Sequence, residues 1–208
     1  MKNYLLLLLI LFCFTCKKST TEESKSALKV TESILIETFQ YSNGIQPLVS
    51  VHRGGKGLEN YPENCFETLI YINDSIRAVY EIDVAQTKDS VLVLMHDNSI
   101  DRTTNGSGLV KKLEYKQLQE YFLVDDFNNQ TKFKVPEFAA ILKWARNNKV
   151  ILTIDIKRSV NVNDVLKAVR IAKAEDISII ITYDLEQSLK VYQLAPELMQ
   201  SVSARSQK

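Results

Sequence analysis

The chain has 208 residues, of which 45% are hydrophobic and 25% charged, a composition typical of a globular protein and not of a disordered or fibrous one. It contains 26 basic and 25 acidic residues, and removal of residues 1–15, which include Lys2, makes the two counts equal. Because the chain has no basic bias, we expect no nucleic-acid partner.

Residues 1–18 have the pattern of an export signal. The run from Leu5 to Phe14 is almost wholly apolar, and at about ten residues it is too short to span a membrane. Cys16 follows the run and resembles the lipidated cysteine of a bacterial lipobox. We therefore expect residues 1–15 to be a signal peptide and Cys16 to be the lipidated first residue of the mature protein. An ordinary cleaved signal near the same point is the alternative.

These features predict an exported lipoprotein, anchored to a membrane through its N-terminal lipid and located on the periplasmic, outer-membrane or cell-surface side. Residues 16–46 then form a polar tether and an N-terminal segment, and the stretch from Lys17 to Ser26 has the polar composition of a spacer. Within this segment Ile34–Phe39 fits either a helix with one apolar face or a short strand. The domain itself is expected to occupy residues 47–208.

From Leu48 onward, apolar segments alternate with segments of helical periodicity, which predicts parallel β/α units. Cys65, near a helix start, is expected to be a buried small side chain without chemistry. The predicted strands, which are nearly continuous runs of apolar residues, are Leu48–Val51, Tyr80–Val84, Val91–Met95, Val150–Ile154, Ile177–Tyr183 and Met199–Ala204. The predicted helices open at Pro62 and Pro136 and span about Asn163–Lys173 and Leu185–Leu194, with a short amphipathic stretch at Leu113–Leu123.

Polar side chains follow the apolar segments at the strand ends, where parallel barrels place their chemistry. His52 and His96 each close such a segment, and Glu81 and Asp83 lie between them in the sequence. Because side chains alternate along a strand, Glu81 and Asp83 share one face while their apolar neighbours face the helices. Carboxylates buried on a central strand are costly unless a cation or an ion-pair partner meets them.

The same alternation places Asp155 and Lys157 on one face of the fourth strand. Simpler interpretations exist for each feature: a lone Glu-x-Asp pattern is usually a solvated face, a lone histidine at a strand end is usually structural, and Lys157 can simply pair with Asp155. Two histidines flanking a carboxylate pair on an apolar strand favour a functional site.

These residue types together indicate metal-assisted cleavage of a phosphate ester. Carboxylate oxygens suit a hard divalent cation, Ca²⁺ or Mg²⁺, better than Zn²⁺. Two histidines suit general acid and general base, because an unperturbed pKa of about 6.5 allows both roles near neutral pH. Arg53 and Lys157 add positive charge for an anionic group such as a phosphoryl group.

The ordered motifs of the chain resemble those of the glycerophosphodiester phosphodiesterase family. The resemblance covers about Val49 to the C-terminus. It implies a TIM (β/α)8 barrel with a small insertion after the third strand, here at about residues 98–135. The motifs are His52-Arg53-Gly54, Pro62-Glu63-Asn64, Glu81-Ile82-Asp83-Val84-x-x-Thr87-Lys88-Asp89, His96-Asp97 and Asp101-Arg102-Thr103-Thr104-x-Gly106.

The resemblance also implies an activity, the hydrolysis of glycerophosphodiesters to glycerol 3-phosphate and an alcohol with a divalent cation. His52 and His96 would be the acid and base, in an order that the sequence leaves open. The attacking oxygen would be either water or the glycerol hydroxyl of the substrate. The other implied roles are metal ligation by Glu81, Asp83 and Asp155, and phosphate binding by Arg53, Lys157 and Asn64.

The chain departs from the family pattern in two places besides its length. Asp155 stands where most members carry Glu, and Pro136-Glu137-Phe138-Ala139-Ala140 stands where the family usually reads Pro-Thr-Leu-Glu-Glu. The shorter Asp155 side chain would then reach the metal through a water. We expect the two lost acids to have served the helix start and not the chemistry.

The predicted strands number about six where a TIM barrel has eight, and the domain is shorter than the typical 250 residues or so. We therefore expect a partial barrel with unpaired edge strands. On this expectation the chain is a fragment or a truncated product with little or no hydrolase activity in isolation. The alternative function is a non-catalytic lipoprotein that binds phosphodiesters or a partner. The oligomeric state is left open.

Overall fold

The computed structural model describes residues 33–44 and 47–203. The expected signal peptide, the lipidation site at Cys16 and most of the expected tether lie outside these residues. No helix in the described ranges is long and apolar enough to cross a membrane. The helices are α1 (Ile34–Phe39), α2 (Phe66–Asn73), α3 (Tyr115–Leu118), α4 (Phe138–Asn148), α5 (Val162–Ala172) and α6 (Leu185–Leu194). The strands are β1 (Val49–Val51), β2 (Ala78–Gln86), β3 (Leu92–Leu94), β4 (Ile151–Ile156), β5 (Ser178–Thr182) and β6 (Met199–Val202).

The strands form one six-stranded sheet. Five of them run parallel in the spatial order β1, β2, β4, β5, β6, and each crossover between successive parallel strands contains a helix. This is the arrangement of a TIM barrel. The predicted α/β fold, a partial barrel of this type, is confirmed.

The prediction that all six strands are parallel is wrong for β3. This strand pairs with β2 in antiparallel direction, with Val84 opposite Leu94 and Gln86 opposite Leu92. The short connection at residues 87–91 explains the direction, because two parallel strands need a crossover of a dozen or more residues. His96 therefore follows a hairpin strand that folds back on β2, and the insertion after β3 lies between the second and third parallel strands.

Local backbone geometry shifts several of the predicted helix boundaries. Helix α2 begins at Phe66 and not at Pro62, because Asn64 has a positive φ of 52° and Cys65 is extended. Likewise α4 begins at Phe138, after the extended Glu137, and not at Pro136. The ambiguous segment Ile34–Phe39 is a helix. The stretch Leu113–Leu123 contains a helix of only four residues, α3.

The apolar face of the sheet packs against the helices, as the alternation along the strands predicts. Cys65 is fully buried and is not in a disulfide, in agreement with its expected role as a small core side chain. The principal core cluster joins side chains of β2 and β4, among them Tyr80, Ile82, Val84, Ile154 and Ile156, to Leu69 of α2, Phe138, Ile141 and Leu142 of α4, and Val165, Leu166 and Val169 of α5.

Helix α1 packs against the opposite, inner face of the sheet. Its Leu35 is 4% exposed and forms a small cluster with Val79, Ile151 and Ile179, which lie at or near the starts of β2, β4 and β5. Ser33 hydroxyl and the Ile34 amide both donate to the Asp176 carboxylate, which ties α1 to the loop before β5. The helix covers the N-terminal ends of these strands and leaves their C-terminal ends free for the polar residues.

The edges of the sheet are unpaired, as expected for a partial barrel. Within the described residues β1 pairs with β2 alone and β6 pairs with β5 alone. Both strands are short and largely exposed, with Val49 50% and Val202 46% exposed. Strand edges of this kind present backbone groups that lack a neighbouring strand.

Candidate active site

Three carboxylates, from Glu81 and Asp83 of β2 and Asp155 of β4, form the centre of the candidate site. Asp83 and Asp155 are partners in the parallel register, and one oxygen of each of the three carboxylates lies within 4.8 Å of the others. Burial, followed by the charge of Asp83, raises the pKa of Glu81 to about 7. The structure thus brings together the three acids that the alternation placed on one face, and their role as metal ligands stays a prediction.

Lys157 and Asn64 hold the carboxylate of Asp83 from two sides. Lys157 Nζ lies 2.6 Å from Asp83 Oδ1 and 2.8 Å from Asp155 Oδ2. Asn64 Nδ2 donates to Asp83 Oδ2 at 2.7 Å, and Asn64 Oδ1 accepts from the Asp83 amide at 3.0 Å. Lys157 is therefore paired with both aspartates, the simpler interpretation that the sequence left open, and its contact with phosphate stays a prediction.

The loop after β1 brings the first histidine motif to the acidic cluster. Val51 is the register partner of Tyr80, so the next residues of the two strands, His52 and Glu81, lie at the same level of the sheet. The Arg53 amide donates to Glu81 Oε2 at 2.6 Å. The loop turns sharply, with Arg53 at φ 51°. Within the described residues the His52 imidazole has no hydrogen-bond partner and is exposed.

Gly55 makes the sharp turn after His52 possible. Its φ is +127°, a value that side-chain-bearing residues rarely adopt. A Cβ atom there would lie 2.5 Å from Thr68 Cγ2 and 2.6 Å from Ile72 Cδ1 of α2. The glycine therefore lets the loop approach α2 closely.

The second histidine belongs to a closed ring of five charged or polar side chains, which we call the charged ring. Arg53 Nη2 lies 2.8 Å from His96 Nε2, and His96 Nδ1 lies 2.6 Å from Asp97 Oδ1. Arg102 Nε donates to Asp97 Oδ2 at 2.7 Å, and its two Nη atoms donate to Glu63 at 2.7 and 3.1 Å. Glu63, 4% exposed, closes the ring by accepting from Arg53 Nη1 at 3.2 and 3.3 Å.

The partners of His96 determine which of its nitrogens carries the proton. An ionised carboxylate only accepts hydrogen bonds and a guanidinium only donates them. Hydrogen bonds from Arg102 and His96 hold the pKa of Asp97 well below its usual range despite partial burial, so this carboxylate is ionised. His96 therefore carries its proton on Nδ1, toward Asp97, and presents the lone pair of Nε2 to Arg53.

The charged ring contains three residues to which the sequence pattern assigned no role. Glu63, Asp97 and Arg102 stand within the motifs, and Asp97 directly follows His96, which is a local signal that a carboxylate lies beside the imidazole. Glu63 and Arg102 are 39 residues apart, and no local pattern connects them. Arg102, whose motif also fits a simple polar turn, is anchored by two carboxylates.

Tyr183 is a further residue at the site that the pattern did not assign. It follows β5 and is 47% exposed. Burial, and then the charge of Asp155 and a hydrogen bond with it, raise the pKa of Tyr183 to about 12. A phenol at this position borders the acidic cluster on the side of β5.

Comparison with known proteins places these residues in a family. A model of the glycerophosphoryl diester phosphodiesterase family matches residues 52–207. A solved glycerophosphoryl diester phosphodiesterase from Parabacteroides distasonis is 36% identical, with a TM-score of 0.76 over 81% of this chain and 58% of that chain. Curated glycerophosphodiester phosphodiesterases from Bacillus altitudinis and Caldanaerobacter subterraneus are 32% and 27% identical over 54% and 74% of this chain.

The chain spans 46% and 65% of the lengths of these two curated relatives. The family match nevertheless begins at His52 and includes Glu81, Asp83, His96 and Asp155, together with every member of the charged ring. It covers three quarters of the chain's length. The chain belongs to the glycerophosphoryl diester phosphodiesterase family.

Proposed function

We propose that the site hydrolyses glycerophosphodiesters to glycerol 3-phosphate and an alcohol, with a divalent cation. The observation that carries this proposal is the gathering of Glu81, Asp83 and Asp155 around one point, beside an imidazole that the charged ring orients. Family membership supports the reaction class. The Ca²⁺ or Mg²⁺ ion is part of the proposal.

The acidic cluster fits a hard divalent cation. Its three carboxylates offer oxygen atoms within 4.8 Å of one another, and oxygen is the ligand that Ca²⁺ and Mg²⁺ prefer. Burial, and then the charges of Asp83 and Asp155, raise the pKa of Glu81 despite the opposite effect of Lys157, and a bound cation would lower it again. A bound cation would supply Lewis-acid polarisation of the phosphoryl oxygen.

The histidines have different surroundings, which suggest different roles. His96 carries its proton on Nδ1, toward Asp97, so its Nε2 is the atom that accepts a proton from the attacking hydroxyl once Arg53 turns from Nε2 to the phosphoryl group. His52 is then the acid that protonates the leaving alkoxide. Arg53 and Lys157 contribute positive charge beside the phosphoryl group, and Asn64 holds Asp83 in place.

Turnover with defined variants tests the proposal. The purified chain is incubated with glycerophosphocholine and Ca²⁺ or Mg²⁺, and glycerol 3-phosphate is measured with a coupled dehydrogenase. Asp83→Asn should abolish cation-dependent turnover, whereas Asp74→Asn, an exposed site at the end of α2, should not. His96→Ala should lower the rate by about 10²- to 10⁴-fold without loss of the fold.

The partial barrel makes a low absolute rate the expected result, so cation binding is measured as well. Calorimetry should detect Ca²⁺ or Mg²⁺ binding that Asp83→Asn removes and Asp74→Asn retains. Cation-independent turnover, or turnover that His96→Ala leaves near normal, contradicts the proposal. Diester binding without turnover at any enzyme concentration favours the alternative function, a phosphodiester-binding lipoprotein.

We also propose that the chain is exported and anchored to a membrane through lipidated Cys16. The support is the apolar run from Leu5 to Phe14, which ends two residues before this cysteine. Expression in a bacterial host with radioactive palmitate should label the wild-type chain, and Cys16→Ser should remove the label and release the protein from the membrane fraction. Cys65→Ser is the matched control and should leave labelling unchanged. Unlabelled wild type would refute the anchor.

A further inference from the structure

We propose that this site prefers glycerophosphodiesters whose alcohol carries a negative charge of its own, and that Lys111 and Arg158 select that charge. The inference rests on the proposed function and specifies the substrate class. It concerns a cavity of about 350 Å³ beside the acidic cluster, which we call the side cavity. The side cavity is lined by Ala85 and Gln86, by Asp97 and Asn98, by residues 109–111 and by residues 157–159.

The side cavity lies next to both the acidic cluster and the charged ring. Its wall residue Lys157 contacts the carboxylates of Asp83 and Asp155 at 2.6 and 2.8 Å. On another side its wall residue Asp97 receives the hydrogen bond of His96. A phosphodiester bound between the acidic cluster and His96 would therefore have one of its two ester groups beside this cavity.

The wall of the side cavity is cationic. It contains Lys111, Lys157 and Arg158 and a single carboxylate, that of Asp97. The charge of Asp97 is already met by Arg102 at 2.7 Å and by His96. Within residues 33–44 and 47–203, neither Lys111 nor Arg158 lies within salt-bridge distance of a carboxylate, so both cations are available to a ligand.

The same wall is unsuited to a quaternary ammonium group. Such cations are recognised by the faces of aromatic rings, and none of the residues that line the side cavity is aromatic. Its volume is at the small end of the range for ligand pockets, about 300–1,000 Å³, which fits a short polar group. Asn98 and Ser159 add hydrogen-bonding groups to the wall. The chemistry that fits is a small alcohol bearing a carboxylate or a phosphate.

Two matched substrate pairs test the proposal. Glycerophosphoserine differs from glycerophosphoethanolamine by one carboxylate, and glycerophosphoinositol 4-phosphate differs from glycerophosphoinositol by one phosphate. Affinity is measured by calorimetry with the full chain and saturating Ca²⁺ or Mg²⁺. The wild type should bind the more anionic member of at least one pair about two- to fivefold more tightly, the range expected for solvent-exposed ion pairs. The pair that shows the difference identifies carboxylate or phosphate as the favoured group.

Lys111→Glu should abolish or reverse this difference, and Arg158→Glu should do the same. Lys112→Glu is the matched control, because Lys112 is an exposed neighbour that does not line the side cavity. Equal affinities within both pairs in the wild type, or an equal effect of Lys112→Glu, would overturn the inference. Absence of binding by all four diesters would overturn it as well.

The outcome is separable from that of the proposed function. Release of glycerol 3-phosphate is followed in parallel for the same four diesters. A charge preference in binding without any turnover contradicts hydrolysis but supports the side cavity as an anion subsite. Turnover without a charge preference supports hydrolysis and refutes the role of Lys111 and Arg158.

Discussion

Glu63→Gln removes the charge that holds two arginines of the charged ring together. Leaving a charge without its partner in a fully buried pair costs about 3–5 kcal/mol. The Arg53 and Arg102 side chains are 14% and 41% exposed, and Arg102 retains Asp97. Because both guanidinium groups recover some solvation, we expect the free energy of unfolding to fall by about 1.5–3 kcal/mol at pH 7.

The loss should depend on pH in a defined direction. Burial by itself raises the pKa of Glu63, but the hydrogen bonds and charges of Arg102 and Arg53 outweigh it and hold the pKa below the ordinary value of 4.5. The contribution of Glu63 is therefore complete above pH 4.5 and is lost as the pH falls through the folded-state pKa. The difference in the free energy of unfolding between the wild type and Glu63→Gln should therefore become smaller in acid.

Urea denaturation followed by circular dichroism at pH 7 and at pH 3 measures both effects. Glu59→Gln is the control, because Glu59 lies in the same loop but is exposed. We expect the control to change the free energy of unfolding by less than about 0.5 kcal/mol. If Glu63→Gln matched the control at pH 7, or if its deficit were as large at pH 3, the account of the charged ring would be refuted.

Two further predictions concern the histidine and the loop beside it. Arg53→Ala and Asp97→Asn together remove the guanidinium that only donates to Nε2 and the carboxylate that only accepts from Nδ1, so the proton of His96 should redistribute from Nδ1 toward Nε2. Nitrogen-15 NMR detects this readily in a chain with two histidines, and an unchanged His96 spectrum, with His52 as internal reference, would contradict the assigned tautomer. Gly55→Ala should cost about 1–3 kcal/mol in urea denaturation, because its Cβ meets atoms of α2 at 2.5 and 2.6 Å. Gly57→Ala, at φ +86° with open space around it, should cost less; equal losses would show that backbone strain alone is responsible.

The fold was predictable where local pattern is sufficient. The segments Tyr80–Val84 and Val150–Ile154 are the central strands of the sheet. The second is nearly continuous in apolar residues because both of its faces are covered, whereas in the first the acids Glu81 and Asp83 alternate with apolar residues that face the helices. The direction of β3 was not predictable from its own composition. A run such as Val91–Met95 fits a parallel or an antiparallel neighbour equally well, and its antiparallel pairing follows from the short connection to β2.

Helix boundaries show a similar division. Apolar spacing predicted α5 and α6 to within a residue or two, because packing against the sheet selects that spacing. Pro62 suggested a start for α2 four residues too early, since proline is accepted in a first turn but does not require one. Asn64 has a left-handed backbone conformation, which a helix running on from Pro62 does not allow, and its side-chain amide bonds to Asp83.

What the sequence determined by itself is the composition of the acidic cluster. Alternation along a strand is a local property, so Glu81 and Asp83 share a face wherever β2 lies. Asp155 and Lys157 share a face at the end of β4 for the same reason. What only the tertiary structure decided is which side chains meet across elements. The pairing of β2 with β4 sets Asp83 beside Asp155, and the fold brings Glu63 to Arg102 across 39 residues. No local pattern encodes such contacts, because they arise from the packing of loops that are distant in the sequence. These contacts close the charged ring that orients His96.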